Sequence, residues 1–347
     1  LIEIDVETRG LQWYYPSQEM FLAQFFDGDQ MERAELLKHP EDAKHIQDWL
    51  DADDGFRAWN SKFDFHMLEA AGYRLPDQGR WHDGMVVRRI LDERRSMGLQ
   101  ATGDEIFGTA PWPEGAGGET EKQLKAWLGE ETKRRREAVK KSGERLIKPN
   151  YSDVPWEIME PYAAHDVELQ RRIMDVLEPK LEAANRLPEV YELERGVLPA
   201  LYDIEKRGMG CDDAMLPKLE TQIERQLCER SERVIKIARR EGDEDFNPNS
   251  KAQLGEVFEE LGVDLSFCKT TKAGKKSLDA ESLEAIDHEL ARAEEDRRAA
   301  ETMFKMIYPL GHCTTKRGID WEPFLAPDGR IHADQNQVGA RTGRNST

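Results

Sequence analysis

The apolar residues of this chain keep two different periods, and the switch between them near Pro188 limits its fold more than any other feature. Ahead of that proline they alternate in short runs, as in Leu1-Ile2-Glu3-Ile4-Asp5-Val6-Glu7. Behind it they recur three and four residues apart on long charged stretches, with Leu216, Leu219, Ile223 and Leu227 along one face of residues 213–240. A period of two builds a strand with two distinct faces, whereas a period near 3.6 builds a helix with one apolar stripe. Strands followed by helices require a layered α/β or α+β unit first, and single-striped rods require one another. With 347 residues, each part has chain enough to bury its own core.

In the first part, strands are expected over residues 1–7, 20–26 and 56–59. The last of these runs into Asn60 and Ser61, expected N-caps of a helix over 62–71 that Gly72 ends. Further helices are expected over 84–95, 119–141 and 156–177, with 111–118 as a Gly/Pro-rich loop. In the second part, helices are expected over 190–207, 213–240 and 280–308, two of the rods packing antiparallel as an arm. No internal repeat of fixed period is evident.

Composition adds boundaries rather than detail. The chain is 38% hydrophobic and 34% charged, as a globular, helix-rich protein is, and no apolar run approaches the roughly 20 residues of a membrane span. Acidic residues directly follow the first strand-like ones, unlike a secretory signal. Cys211, Cys228, Cys268 and Cys313 make no CxxC pair or zinc spacing, so a reduced, cytosolic setting is expected. Net charge is 50 minus 69, or −19, which argues against a polyanionic partner. Against it stand local basic clusters at Lys133, Arg134, Arg135, Arg136, Lys140 and Lys141, and at Lys269, Lys272, Lys275 and Lys276. These are either phosphate contacts or solvated faces. The opening at Leu1 and the stop at Thr347 without a polar tail lead to the expectation of a fragment.

Three acidic motifs carry the chemistry. Asp5 and Glu7 share a strand face on either side of Val6 and form a cation cradle, although acidic pairs are common at strand ends. Asp64 lies in the first turn of a helix that follows a strand, where it also complements the helix dipole. Tyr162 and Asp166 stand one turn apart on one helix face, or are simply a half-buried phenol beside a surface acid. Each has a bland reading alone; their joint order of strand, helix and helix does not.

In that order the sequence resembles the proofreading 3′-5′ exonuclease domain of family A DNA polymerases, of a phage-like kind. Asp5 and Glu7 match the first exonuclease motif, Asp64 with Asn60 and Phe63 the second, and Tyr162 with Asp166 the third. The resemblance implies an α/β ribonuclease H-like domain over 1–187, a mixed sheet flanked by helices, followed by a mainly α-helical thumb over 188–325 and the start of a palm over 326–347. It implies catalysis by Asp5, Glu7, Asp64, Tyr162 and Asp166. Two divalent ions, Mg²⁺ or Mn²⁺, would serve, one held by Asp5, Glu7 and Asp166 and the other by Asp5 and Asp64. Tyr162 would orient the attacking water, and Leu11 would wedge against the terminal base. Phe63 stands where relatives often have tyrosine, keeping the stacking surface without the hydroxyl. His165 is expected to be structural.

The resemblance continues through Phe246-Asn247-Pro248-Asn249-Ser250-Lys251-Ala252-Gln253-Leu254 and Lys272-Ala273-Gly274-Lys275-Lys276-Ser277, similar to a thumb tip that grips duplex phosphates. Asn249, Ser250, Lys251 and Lys272 are its expected DNA contacts, the alternative being a polar helix cap and a turn. Residues 337–347 resemble the palm entry, with Thr342 and Arg344 as DNA contacts and Asn345 in place of the usual leucine. The partners implied are a single-stranded 3′ end of DNA, duplex DNA, and a palm and fingers on the same or another polypeptide, in bacterial or phage-infected cytosol and away from membranes. With no second acidic metal site in these residues, polymerisation by them alone is not expected. An exoribonuclease with the same metal site and a non-catalytic DNA-holding module are the alternatives, to be separated by DNA against RNA substrates and by metal titration.

Overall fold

The computed structural model describes residues 1–52, 55–142, 146–243, 245–270, 276–316, 319–340 and 346. They divide into two compact units, Leu1–Met209 with His332–Thr347, and Gly210–Ile331.

The first unit is built on a five-stranded mixed sheet of β1 (Ile2–Thr8), β2 (Met20–Phe26), β3 (Met31–Glu35), β4 (Phe56–Ala58) and β5 (Trp81–Asp83), in the order β3-β2-β1-β4-β5. β1 pairs antiparallel with β2 and β2 with β3, while β4 runs parallel to both β1 and β5. Alternation in β1 sends Ile4 and Val6 into a core with Phe25, Phe56, Phe65 and Leu68, joined by Ile46 and Leu50 of α1 (Ala43–Leu50). Glu3, Asp5 and Glu7 therefore face the opposite side. β2 is buried almost throughout, because helices cover both faces of the sheet there. β3 and β5 escaped the sequence reading for opposite reasons: β3 is a charged edge with only Ala34 buried, and β5 has just three residues.

On the acidic face lie α5 (Glu119–Ser142) and α6 (Trp156–Ala183), packed through Leu124, Met159, Ala163 and Leu22. α6 runs past the expected end at 177, with Leu177 and Leu181 still buried. The remaining helices are α2 (Ser61–Ala70), α3 (Gly84–Leu91), α4 (Leu99–Phe107) and α7 (Leu187–Arg207). α3 stops at Leu91 rather than 95, because Asp92 turns to an extended backbone. Pro188, where the hydrophobic period changes, sits in the first turn of α7, a position in which its missing N–H is not needed.

The second unit pairs α8 (Leu216–Ile237) with α11 (Glu289–Gly311). Their antiparallel sense shows in two ion pairs, Glu220 with His312 at 2.6 Å and Arg233 with Glu289 at 3.7 Å. α9 (Lys251–Glu260) and α10 (Ala280–Glu284) close a core of Val234, Leu254, Phe258, Leu283 and Leu290. The single helix expected over 280–308 is in fact two. The chain breaks after Glu284 and restarts where His288 Nδ1 accepts the Leu290 N–H at 3.0 Å. Among the described residues no helix is long and apolar enough to cross a membrane.

Candidate active site

The strand β1 delivers Asp5 and Glu7 to the face beneath α6, and α6 returns Tyr162 and Asp166 to the same place. Asp64 arrives from the first turn of α2, where its Oδ1 accepts the Val6 N–H at 3.1 Å. That bond ties the helix start to the strand between the two acidic residues. The expected capping of α2 is corrected here. Asn60 does occupy the N-cap position, but in a left-handed conformation (φ 76°) and with no capping bond from its side chain. Asp83, at the end of β5, does that work: its Oδ2 accepts the Ser61 N–H at 2.8 Å and the Ser61 hydroxyl at 3.0 Å. Its Oδ1 meanwhile accepts the Met85 N–H at 2.8 Å and caps α3 as well.

Four carboxylates meeting beneath a helix repel one another and lose water together. Burial holds the Asp5 carboxyl up at about 7, and pushes those of Glu7, Asp64 and Asp166 well above the ordinary range. Next in weight, Asp5, Asp166 and Asp64 all raise Glu7, and Asp5 raises both Asp64 and Asp166. Asp166 is eased by a hydrogen bond from Tyr162 and by the charge of Lys125. Asp5 Oδ2 is buried and has no hydrogen-bond partner among the described residues. Such a set is short of positive charge and offers only oxygen donors, the chemistry of a hard divalent cation. Even so, among the described residues no three His, Cys, Asp or Glu side chains close into a ready metal-binding group.

The Tyr162 phenol is raised far above its usual range by burial first, then by Asp166 and Glu7, so it stays a neutral O–H donor at any working pH. Tyr151 stands edge-on to it, ring centroids 6.1 Å apart at 90°, and shares a hydrogen bond with it. Burial, then Glu7 and Asp166, pushes Tyr151 up to about 12. Tyr151, Lys125 and Glu121, the last two ion-paired on α5, were missed by sequence reasoning. Tyr151 stands eleven residues ahead of Tyr162, and Lys125 and Glu121 further still, so no local spacing points to them. His165 lies on another side of α6, edge-on to Trp112 with centroids 4.8 Å apart.

Leu11 is 45% exposed, and Phe63 is half-buried against the core that holds Ile4 and Val6. Asn60 borders a cavity of about 90 Å³ with Lys62, Asp83 and Asp334, none of the four carboxylates lining it. In the second unit Ser250 Oγ accepts the Gln253 N–H at 3.4 Å as the cap of α9. Lys251 is exposed beside it, and the Asn249 side chain accepts from Arg297. The cap half of the polar-cap alternative is thus observed for Ser250. Lys272, Thr342 and Arg344 lie outside the described residues.

No protein-family model matches the chain. It is 29% identical over 297 residues to a DNA polymerase I of Chloroflexus aurantiacus, covering 84% of this chain and 27% of that protein. A thermostable DNA polymerase I of Thermus thermophilus is 30% identical over 185 residues, 52% of this chain and 20% of that protein. The DNA polymerase of Escherichia phage T5 is 28% identical over 248 residues, 67% of this chain and 27% of that protein. The chain spans about a quarter of the length of the curated relatives it matches. Among solved structures it is similar to the POL domain of Pol1 from M. smegmatis, in complex with DNA primer-template and dNTP. The TM-score is 0.64 at 18% identity, covering 99% of this chain and 50% of that one, a likeness of fold.

Proposed function

We propose that this chain, whose homologues are DNA polymerases I, carries a 3′-5′ proofreading exonuclease site on a ribonuclease H-like domain. One observation carries the reading: Asp5, Glu7, Asp64 and Asp166, drawn from β1, α2 and α6, meet in a single buried place, where after burial itself Asp5, Asp166 and Asp64 raise Glu7, and Asp5 raises Asp64 and Asp166. Asp5, Glu7 and Asp166 would hold one Mg²⁺ or Mn²⁺, and Asp5 with Asp64 a second. When bound, the ions supply a nucleophile at neutral pH and a counter-charge for the leaving oxygen of the phosphodiester.

The chain's own groups do the rest. Tyr162, held neutral with its O–H on Asp166, would orient the attacking water by accepting a hydrogen bond at its phenol oxygen, and is too weakly basic to take the water's proton. Asp64, anchored to the Val6 N–H, is fixed relative to Asp5 before any ligand arrives. Leu11, Asn60 and Phe63 border the approach of a single-stranded 3′ end. In the second unit the exposed end of α9 at Asn249, Ser250 and Lys251 serves as a thumb-like contact for duplex phosphates, with residues 326–347 as the beginning of a palm. DNA is the proposed partner, and a cytosolic setting is proposed with it.

The test is digestion of 3′-labelled single-stranded DNA with Mg²⁺, beside the matching RNA. Release of nucleoside monophosphates from DNA, lost in Asp5→Ala and Asp166→Ala, is the expected result. Equal digestion by wild type and both variants would sink the assignment, and faster digestion of RNA would move it to the exoribonuclease reading.

A further inference from the structure

On the sheet face that α6 covers, nearly every fully buried polar group has a partner. Glu3 accepts from Arg57 and Gln170, and Arg57 also reaches Glu178. Arg33 pairs with Glu160 of α6. The exceptions are Asp5 Oδ2 and both polar atoms of Gln24, which are buried with no partner among the described residues. Gln24 has no exposed surface at all, and its neighbours along the same face of β2 are Leu22 and Phe26.

Strand register sets these orphans side by side. Asp5 is the cross-strand partner of Gln24, which in turn is opposite Arg33. Directly opposed residues of an antiparallel pair project to the same face with Cβ atoms about 5 Å apart. A glutamine can span such a gap with its own amide, or through one trapped water. A buried amide is costly without hydrogen bonds, so an uncharged glutamine in the middle of an otherwise apolar strand needs an occupant for its donor. Of the two residues directly opposite Gln24, Arg33 is a donor and is engaged with Glu160, so the acceptor in register is Asp5.

We propose that Gln24 is a positioning residue for the metal site: its Nε2–H donates through one buried water to Asp5 Oδ2. The bond fixes the Asp5 carboxylate so that its other oxygen is presented to the divalent ion. This rests on the exonuclease reading above for the ion, but the pairing itself comes from register and burial. Outer hydrogen-bond partners of metal ligands orient the ligand, and removing one typically weakens metal affinity about 10–100-fold.

The experiment is Mn²⁺ titration by calorimetry on the full chain for wild type, Gln24→Met, Asp5→Asn and the double variant, with thermal unfolding of each in chelator. Methionine keeps the length and apolar body of the side chain and removes both amide atoms. The expected result is Mn²⁺ affinity lowered about tenfold or more in Gln24→Met, with a metal-free Tm equal to or above wild type. In the Asp5→Asn background the same change should produce no further loss. Unchanged Mn²⁺ affinity in Gln24→Met overturns the proposal, as does a loss matched by a fall in metal-free Tm, which would make Gln24 part of the scaffold only. If Asp5→Asn itself keeps full Mn²⁺ affinity, it is the metal-site reading that fails, and the two failures are thereby told apart.

Discussion

Asp5 concentrates the physics of the site in one side chain. Its folded-state carboxyl stands at about 7 against an ordinary 3.8, raised by burial, so between those values the folded chain keeps a proton that the unfolded chain has released. Metal-free stability contributed by this group is therefore highest below about pH 4 and is lost as pH rises towards 7. Asp5→Asn, which cannot ionise, should raise metal-free stability little at pH 4.5 and distinctly at pH 8, as read by urea unfolding. An equal gain at both values would mean that the carboxyl is not strained by its surroundings. Tyr162→Phe tests a separate role, since it keeps the ring and removes only the O–H. Turnover should fall about tenfold or more while Mn²⁺ affinity stays unchanged. A parallel loss of metal binding would instead make the phenol part of the ligand cage. That Asp5 and Glu7 share a face, and that Tyr162 and Asp166 share another, was legible in the residues themselves, because strand and helix repeats are local. That Lys125 comes to lie beside Asp166 as a partial counter-charge was not, since it depends on which side chains the fold brings together.

At the level of elements, the site is assembled by three pieces whose ends matter more than their middles. α2 and α3 both start at the single carboxylate of Asp83, five N–H or O–H groups converging on it within 3.4 Å. Asp83→Ala removes two caps at once and should destabilise the chain by about 2 kcal/mol, twice the usual single-cap loss. The measurement is the urea midpoint, and a cost near zero would show that water replaces the carboxylate at both helix ends. The same change should weaken Mn²⁺ binding, because Asp64 rides on the first turn of α2. Reading the chain placed this cap on Asn60 and Ser61 because N-cap preference is judged from neighbours in sequence. The actual donor of the bond acceptors lies 22 residues on from Ser61, at the end of a parallel strand too short to announce itself. The division of residues 280–308 at His288 escaped for a similar reason: the helical period continues across the break, and only the imidazole that caps Leu290 restarts the helix.

For the molecule as a whole, the formal charge of −19 and the proposed polyanionic ligand pull in opposite directions. Divalent ions bound as proposed would offset part of that charge where the carboxylates meet, so DNA binding by this chain should depend on Mn²⁺ or Mg²⁺. In chelator, binding of a 3′ single strand should fall sharply, a shift readable by fluorescence anisotropy. Hydrogen exchange offers a complementary view. Added Mn²⁺ should protect amides of β1, α2 and α6 in the first unit and leave those of α8 and α11 unchanged, since ligand binding stabilises only the unit that holds the ligand. Protection of α8 and α11 to the same degree would put the ion elsewhere. The sequence alone determined the change from alternating to helical period at Pro188, the two-residue spacing of Asp5 and Glu7 and the four-residue spacing of Tyr162 and Asp166. Those are repeats of a single strand or helix and need no partner to be read. The tertiary structure alone decided that β1 lies between an antiparallel β2 and a parallel β4, that Gln24 therefore stands opposite Asp5, and that Tyr151 and Lys125 reach the same place. Register and sheet order join residues far apart in the chain, and their energies come from packing that no local repeat encodes.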